Sequence, residues 1–302
     1  MKVFLTGANG FIGSRLVTTL LAAGHDVLGL TRSDAGALRL RASGAEPYHG
    51  TIEDTDGLTE AAARCDAVIH TAFDHDFSRY VENCRKDERV IRALYETYEG
   101  SRKPIIITST TLFGEPVPGA LADEDVFNPE HANPRVISES AIQDGIARGC
   151  NISVVRLAQI HDTHKQGLVT FLIDLARRTG VSAYVGEGVN RWCAAHLDDT
   201  ANLYRLALEE ASAGARYHAS AEEGVTLREI AEAIGRKLDL PVKQLTDQEA
   251  PPHFGWLVPF VSKDMIASSA KTRSRLLWQP EGPTLLEDLR RHDQGGMASH
   301  LC

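Results

Sequence analysis

Cysteine is scarce and unpatterned in this chain. The five present, Cys65, Cys84, Cys150, Cys193 and Cys302, are odd in number, widely spaced and never form a C-x-x-C pair. A disulfide framework or a structural zinc site needs closer, patterned cysteines, so reduced thiols packed as small hydrophobes are expected. Long apolar runs are also missing. No stretch approaches the roughly 20 residues of a membrane helix, and Gly7, Asn9 and Gly10 interrupt the opening Met1-Lys2-Val3-Phe4-Leu5 before the apolar core of a signal peptide forms. A cytoplasmic protein is expected. No H-E-x-x-H, G-x-S-x-G or Walker motif occurs. His161 and His164, close together on an expected loop, make a poor metal pair, so no metal is expected. Positive charge is in the minority: 32 Lys and Arg stand against 41 Asp and Glu, a formal −9. That balance speaks against nucleic acid or an anionic membrane as a partner.

What is present is the mixture of a globular enzyme. Hydrophobic residues make up 43% and charged residues 24%, which excludes disorder, collagen and coiled coil. At 302 residues a core is easily buried, and about two domains of roughly 150 residues are expected. Short apolar runs alternate with helical patterns. Strands are expected at 3–5, 27–30, 46–49, 67–70, 105–108 and 152–157. Helices are expected at 11–23, 35–42, 55–63, 78–98, 168–178, 197–209 and 227–238. Continuous apolar runs separated by helices indicate a parallel sheet covered on both faces, hence an α/β, Rossmann-type doubly wound fold. The second half is less regular and reads as a smaller C-terminal α/β substrate domain. The Pro- and aromatic-rich stretch 251–260, with Phe254, Trp256 and Phe260, reads either as a lid or pocket wall or as a loop packed on its own rings. The tail from Gln294 to Cys302 is expected to fray.

Gly7-Ala8-Asn9-Gly10-Phe11-Ile12-Gly13 follows the first expected strand and opens the first helix. Glycines there allow a tight turn and let a pyrophosphate approach backbone N–H groups, while the helix N-terminus adds partial positive charge. A dinucleotide is therefore the expected cofactor. An acid about 20 residues past the glycines would bind a ribose 2′-hydroxyl. The second strand instead ends Leu30-Thr31-Arg32-Ser33, and Arg32 with Ser33 suits a 2′-phosphate. NADP(H) is expected over NAD(H).

From these residues the chain resembles the short-chain dehydrogenase/reductase superfamily, and most closely its extended branch of epimerases and dehydratases. Thr6–Gly13 is similar to the branch's T-G-x-x-G-F-I-G. Val68-Ile69-His70-Thr71-Ala72-Phe73 is similar to V-I-H-x-A-A. Ile107-Thr108-Ser109-Thr110-Thr111-Leu112-Phe113-Gly114 is similar to S-S-x-x-V-Y-G. Gly186-Glu187-Gly188 through Arg191 to Asp199 resembles G-x-G…R…H-V-D-D, and Leu277-Trp278-Gln279-Pro280 resembles L-G-W-x-P. The resemblance implies that Asn9, Phe11 and Ile12 lie on the pyrophosphate. It places Ile52 near adenine, with Thr51 where the branch has Asp. Thr71, Ala72 and Phe73 line the centre of the cofactor, and Ile160 packs near the nicotinamide. Ser109 matches a serine that hydrogen-bonds a substrate oxygen. It also implies an interleaved division: residues 1–160 plus about 193–220 for the dinucleotide, and about 161–192 plus 221–302 for the substrate. A homodimer, common in that branch, is an open alternative to a monomer.

The resemblance breaks at the catalytic pair. Counting from Gly114 to Pro134-Arg135-Val136-Ile137-Ser138-Glu139 puts Arg135 where the branch has its tyrosine and Glu139 where it has its lysine. Arginine stays protonated to pH ~12 or above and cannot transfer the tyrosine's proton, but it can stabilise a developing oxyanion. Glu139 could accept from ribose hydroxyls or act as an acid or base, with Ser109, Arg135 and Glu139 then forming the catalytic set. Alternatively the two residues, spaced i and i+4, simply pair with each other. His75, Tyr80, His161 and His196 are other candidate proton donors. The expected function is an NADP(H)-dependent oxidoreductase for a small carbonyl or alcohol. An isomerase or lyase without net redox, and a non-catalytic NADP(H) sensor, are the alternatives.

Overall fold

The structure is a computed structural model that describes residues 1–291. The expected frayed tail and Cys302 lie outside the described residues. The first half alternates strand and helix without exception: β1 (Lys2–Thr6), α1 (Phe11–Ala22), β2 (Asp26–Thr31), α2 (Asp34–Ala42), β3 (Glu46–His49), α3 (Thr55–Ala63), β4 (Ala67–His70), α4 (Tyr80–Thr97), β5 (Ile105–Thr110), α5 (Val136–Ala147) and β6 (Ile152–Leu157). These strands join β10 (Arg216–Ala219) in a seven-stranded parallel sheet of order β3-β2-β1-β4-β5-β6-β10.

Successive strand residues point to opposite faces, and both faces are covered. Val3 and Leu5 pack with Leu16 and Leu20 of α1, and with Leu203 and Tyr204 of α7 (Leu197–Glu210). Phe4, Val68 and Ile107 pack on the other side with Leu58, Val90, Leu94 and Ile142. Strand order reverses between β1 and β4, and in such sheets the ligand crevice opens at the carboxyl ends of the strands beside that reversal. Gly7, Thr71, Ser109 and Leu157 all leave the sheet from that end.

The smaller part holds a three-stranded sheet of β7 (Gln159–His161), β9 (Arg191–His196) and β11 (Glu222–Thr226), and a two-stranded sheet of β8 (Ser182–Val185) and β12 (Val242–Leu245). Around them pack α6 (Val169–Thr179), α8 (Leu227–Leu238) and short helices, among them α9 (Ala250–Phe254), α10 (Val258–Val261), α11 (Ala270–Leu276) and α12 (Leu285–Arg291). The helix α8 starts on a full capping box, with Thr226 and Glu229 satisfying each other's backbone N–H groups. Gln159 and Ile160 pair with Ala194 and Ala195 in the three-stranded sheet, next to His161 on His196. Phe254 of the aromatic stretch is core, whereas Trp256 is 47% exposed. Cys65, Cys84, Cys150 and Cys193 are buried free thiols. No helix among the described residues is long and apolar enough to cross a membrane.

Candidate active site

The loop after β1 is shaped by close approaches that only glycine allows. Gly7 sits at φ +70°, and a Cβ on it would lie 2.7 Å from Thr71 Oγ1 and 2.9 Å from the Ala72 nitrogen. A Cβ on Gly13 would lie 2.0 Å from the Gly7 carbonyl oxygen, so α1 rests directly on the loop. The Gly10 N–H donates to the Gly7 carbonyl at 2.8 Å, and Thr71 Oγ1 donates to the Thr6 carbonyl at 2.8 Å, tying the ends of β1 and β4 together. The Asn9 amide nitrogen is buried with no partner. An orphaned donor at a helix N-terminus is what a phosphate oxygen satisfies, so the residues present fit a dinucleotide. Phe11 and Ile12 pack partly buried against the α1 side of the sheet, Ile52 against the Phe4 side, and Ile160 is buried. Arg32 is exposed at the end of β2. Ser33 caps α2, its Oγ accepting from the Gly36 N–H at 3.2 Å. Arg39, which sequence reasoning missed, donates from Nε to Asn9 Oδ1 at 3.3 Å. Its signal was a second arginine on the helix that opens beside Asn9.

The helix α5 brings the two atypical residues to different partners. Glu139 is wholly buried. It accepts from Ser109 Oγ at 2.6 Å, from Arg216 Nε at 3.0 Å and from the Arg156 guanidinium. Both of its oxygens are thus committed, and it offers no surface to a ribose. Burial pushes the Arg156 guanidinium below its ordinary range, and the Glu139 charge opposes that. Arg135, at the N-cap of α5, turns the other way. Its guanidinium lies 3.9 Å from the Phe73 ring centre, and Nε is 3.8 Å from Asp87 Oδ2. The i, i+4 pair between Arg135 and Glu139 does not form, because each has a better-placed counter-charge on another element. Asp87 also takes His70 Nε2 at 3.0 Å, and His70 Nδ1 meets Thr6 Oγ1 at 2.7 Å. Burial alone would raise the Asp87 carboxyl, but the His70 hydrogen bond and the Arg135 charge more than offset it and hold it low. Arg156, Arg216 and Asp87 were not singled out on sequence. A lone arginine within the apolar strand Ile152–Leu157 was the available signal.

The chain is similar to known proteins over nearly its whole length. Residues 3–220 match the family described as "NAD dependent epimerase/dehydratase family". The chain belongs to that family. It is 47% identical to an uncharacterised protein of Schizosaccharomyces pombe over 96% of this chain and 98% of that one. With an uncharacterised protein of Saccharomyces cerevisiae it shares 38% identity over 96% and 98%. More distant relatives are the 2-alkyl-3-oxoalkanoate reductase of Stenotrophomonas maltophilia, 28% identical over 76% and 73%, and the decarboxylating sterol-4-alpha-carboxylate 3-dehydrogenase of Dictyostelium discoideum, 26% identical over 75% and 73%. Among solved structures, a dTDP-glucose 4,6-dehydratase double mutant from Streptomyces venezuelae with NAD bound superposes with a TM-score of 0.76 at 20% identity, covering 97% and 95% of the two chains. That likeness concerns the fold.

Of the other candidate donors, this member of the epimerase/dehydratase family packs His75 and Tyr80 beside the Phe73 ring and sets His161 and His196 at Asp288 of α12. His75 is exposed and packs its ring 5.3 Å from that of Phe73; desolvation by its neighbours first, then the charges of Arg135 and Lys165, push it below its ordinary range. Tyr80 donates to Asn133 Oδ1 at 2.8 Å, and burial raises its phenol. His161 is buried in β7 with Nδ1 2.7 Å from Asp288 Oδ2. His196 caps α7, accepting from the Asp198 N–H at 3.2 Å. Across the mouth, Phe77 stacks on Trp256 with ring centres 5.2 Å apart and planes at 23°.

Proposed function

We propose that this protein is an NADP(H)-dependent oxidoreductase acting on a small carbonyl or alcohol, with Arg135 standing in for the tyrosine that the family uses. The carrying observation is Arg135 itself. Asp87 and Phe73 fix its guanidinium, and neither Nη group makes a hydrogen bond among the described residues. A fixed, permanently charged donor fork suits an oxygen that gains negative charge during reaction. The nicotinamide, when bound, supplies or accepts the hydride. Arg135 holds the reacting oxygen and stabilises the alkoxide. The Ser109 hydroxyl donates to Glu139 at 2.6 Å, so Ser109 can accept only from the hydroxyl of the alcohol form of the substrate, and Glu139 is a positioning residue. Water supplies the proton that completes the alcohol, because His75 is held below its ordinary range and is a poor donor.

Gly7, Asn9, Gly10, Phe11 and Ile12 hold the pyrophosphate, Ile52 flanks adenine, Thr71, Ala72 and Phe73 face the central portion, and Ile160 backs the nicotinamide. Arg32 and Arg39 favour a 2′-phosphate, with the Ser33 proton free to join them. The named reductase and dehydrogenase among the relatives support net redox. In a spectrophotometric assay with NADPH and a panel of ketones and aldehydes, Arg135→Gln is expected to lower kcat/KM by about a hundredfold, with cofactor affinity within about twofold of the parent. Unchanged turnover would remove Arg135 from the mechanism. Product without any change in nicotinamide absorbance would make the protein an isomerase or lyase, and cofactor binding without product would make it a sensor. Tighter binding of NADH than of NADPH would overturn the cofactor choice.

A further inference from the structure

We infer that the substrate is an acid: a carbonyl or alcohol compound that carries a carboxylate on an apolar chain, its carboxylate held by Lys165 at the mouth of the crevice. Lys165 ends a closed turn between β7 and α6. Asp162 Oδ1 accepts from the backbone N–H of His164 at 2.7 Å and of Lys165 at 2.8 Å, and the Asp162 N–H donates to the Lys165 carbonyl at 2.9 Å. The turn is fixed, and the side chain leaves it with Nζ 5.6 Å from the centre of the Phe11 ring, beside the glycine loop. Its Nζ has no ion pair among the described residues.

The carboxylates nearby in sequence and space are already committed. Asp74 and Glu53 both bind Lys86, at 2.9 and 2.7 Å. Asp76 caps the turn Phe77–Arg79, accepting from the Ser78 N–H at 3.0 Å and its hydroxyl at 2.6 Å. Asp87 is buried and shared between His70 and Arg135. In a chain with a formal −9, Arg135 thus shares Asp87 with His70, and Lys165 is left without an ion pair among the described residues. Arg135 lies on the Phe73 ring, His75 packs between Phe73 and Phe77 at 5.3 and 6.2 Å, and Phe77 meets Phe171 of α6, the helix that follows Lys165. The facing wall is apolar. Trp256 stacks on Phe77 and meets the Phe171 ring edge-on at 5.1 Å, and Trp256 and Phe77 remain 47% and 40% exposed. Cations beside exposed aromatic faces fit an amphiphilic anion. The assignment rests on the oxidoreductase reading only for which end reacts, at Arg135.

A lysine over the glycine loop has one other anion within reach in principle, the cofactor's own phosphates, and the test separates the two. The NADP+-loaded protein is titrated calorimetrically with 3-phenylpropanoate and with its uncharged isostere 3-phenylpropanamide. The acid is expected to bind about tenfold tighter. Lys165→Gln, an exposed position, is expected to abolish that preference while NADP+ affinity stays within about twofold. Trp256→Ala is expected to weaken both probes alike. Equal binding of acid and amide, or binding of neither, overturns the inference. So does a Lys165→Gln protein that loses NADP+ affinity but keeps the preference for the acid. The assay needs no turnover, so failure of hydride transfer with the preference intact would sink the oxidoreductase reading alone.

Discussion

A guanidinium in the middle of a parallel sheet needs a fixed counter-charge, because desolvating it alone costs several kcal/mol. Arg156 has that counter-charge in Glu139, and it donates from Nη1 to the Val126 carbonyl at 2.8 Å. Its Nη1 also faces His218 Nε2 at 3.3 Å, while His218 Nδ1 meets the Ser268 carbonyl at 2.8 Å. Burial, then the Arg156 charge, push His218 from 6.5 down to about 3. The folded state keeps this imidazole neutral where the unfolded chain protonates it. Its contribution to stability is therefore full above pH 6.5 and is lost as pH falls from 6.5 towards 3, at up to about 1.4 kcal/mol per pH unit. His218→Asn, which keeps an N–H for Ser268, should reduce the pH slope of the urea midpoint in that window by about one proton. An unchanged slope would show that another group carries the acid sensitivity.

At the scale of elements, Glu139 joins α5 to β5, β6 and β10 through Ser109, Arg156 and Arg216. Glu139→Gln leaves the buried Arg156 and the half-buried Arg216 against a neutral amide. Removing one partner of a buried pair costs about 3–5 kcal/mol, and urea denaturation followed by circular dichroism should read a loss of that size. If Glu139 works only by holding Ser109, the folded fraction of this variant should keep its pH–rate profile. A shifted profile would mean that Glu139 itself takes part in proton transfer. The helices and strands of the first half were legible because each is a local pattern: 46–49, 55–63, 67–70 and 152–157 are apolar or amphipathic runs bounded by turn residues, and they fold as those runs indicate. Partner choice inside the site was not legible. Arg135 and Glu139 are spaced to pair on a helix, yet one turns to α4 and the other to β6 and β10, and nothing local encodes that.

For the whole molecule, the Phe77–Trp256 stack is one of the contacts between the dinucleotide part and the smaller part. A stacked aromatic pair contributes about 0.5–1.5 kcal/mol beyond its buried area, small enough for the mouth to open. Trp256→Ala should therefore leave the urea midpoint close to the parent's while raising KM for the carbonyl substrate several-fold. A large loss of stability with unchanged KM would make the stack a packing contact only.

By itself, the sequence determined the doubly wound sheet, the glycine loop and the family, since each is written in short contiguous segments whose conformation follows from backbone sterics and apolar period. Only the tertiary structure decided where the charges go. Thr6, His70, Asp87 and Arg135 form one chain of contacts, and Ser109, Glu139, Arg156 and Arg216 another, from residues far apart in sequence. It also decided that Lys165 stands beside Phe11 and that Phe77 meets Trp256 across the opening. Coulomb and hydrogen-bond energies depend on distance in space, and chain position does not carry that distance until the sheet has formed.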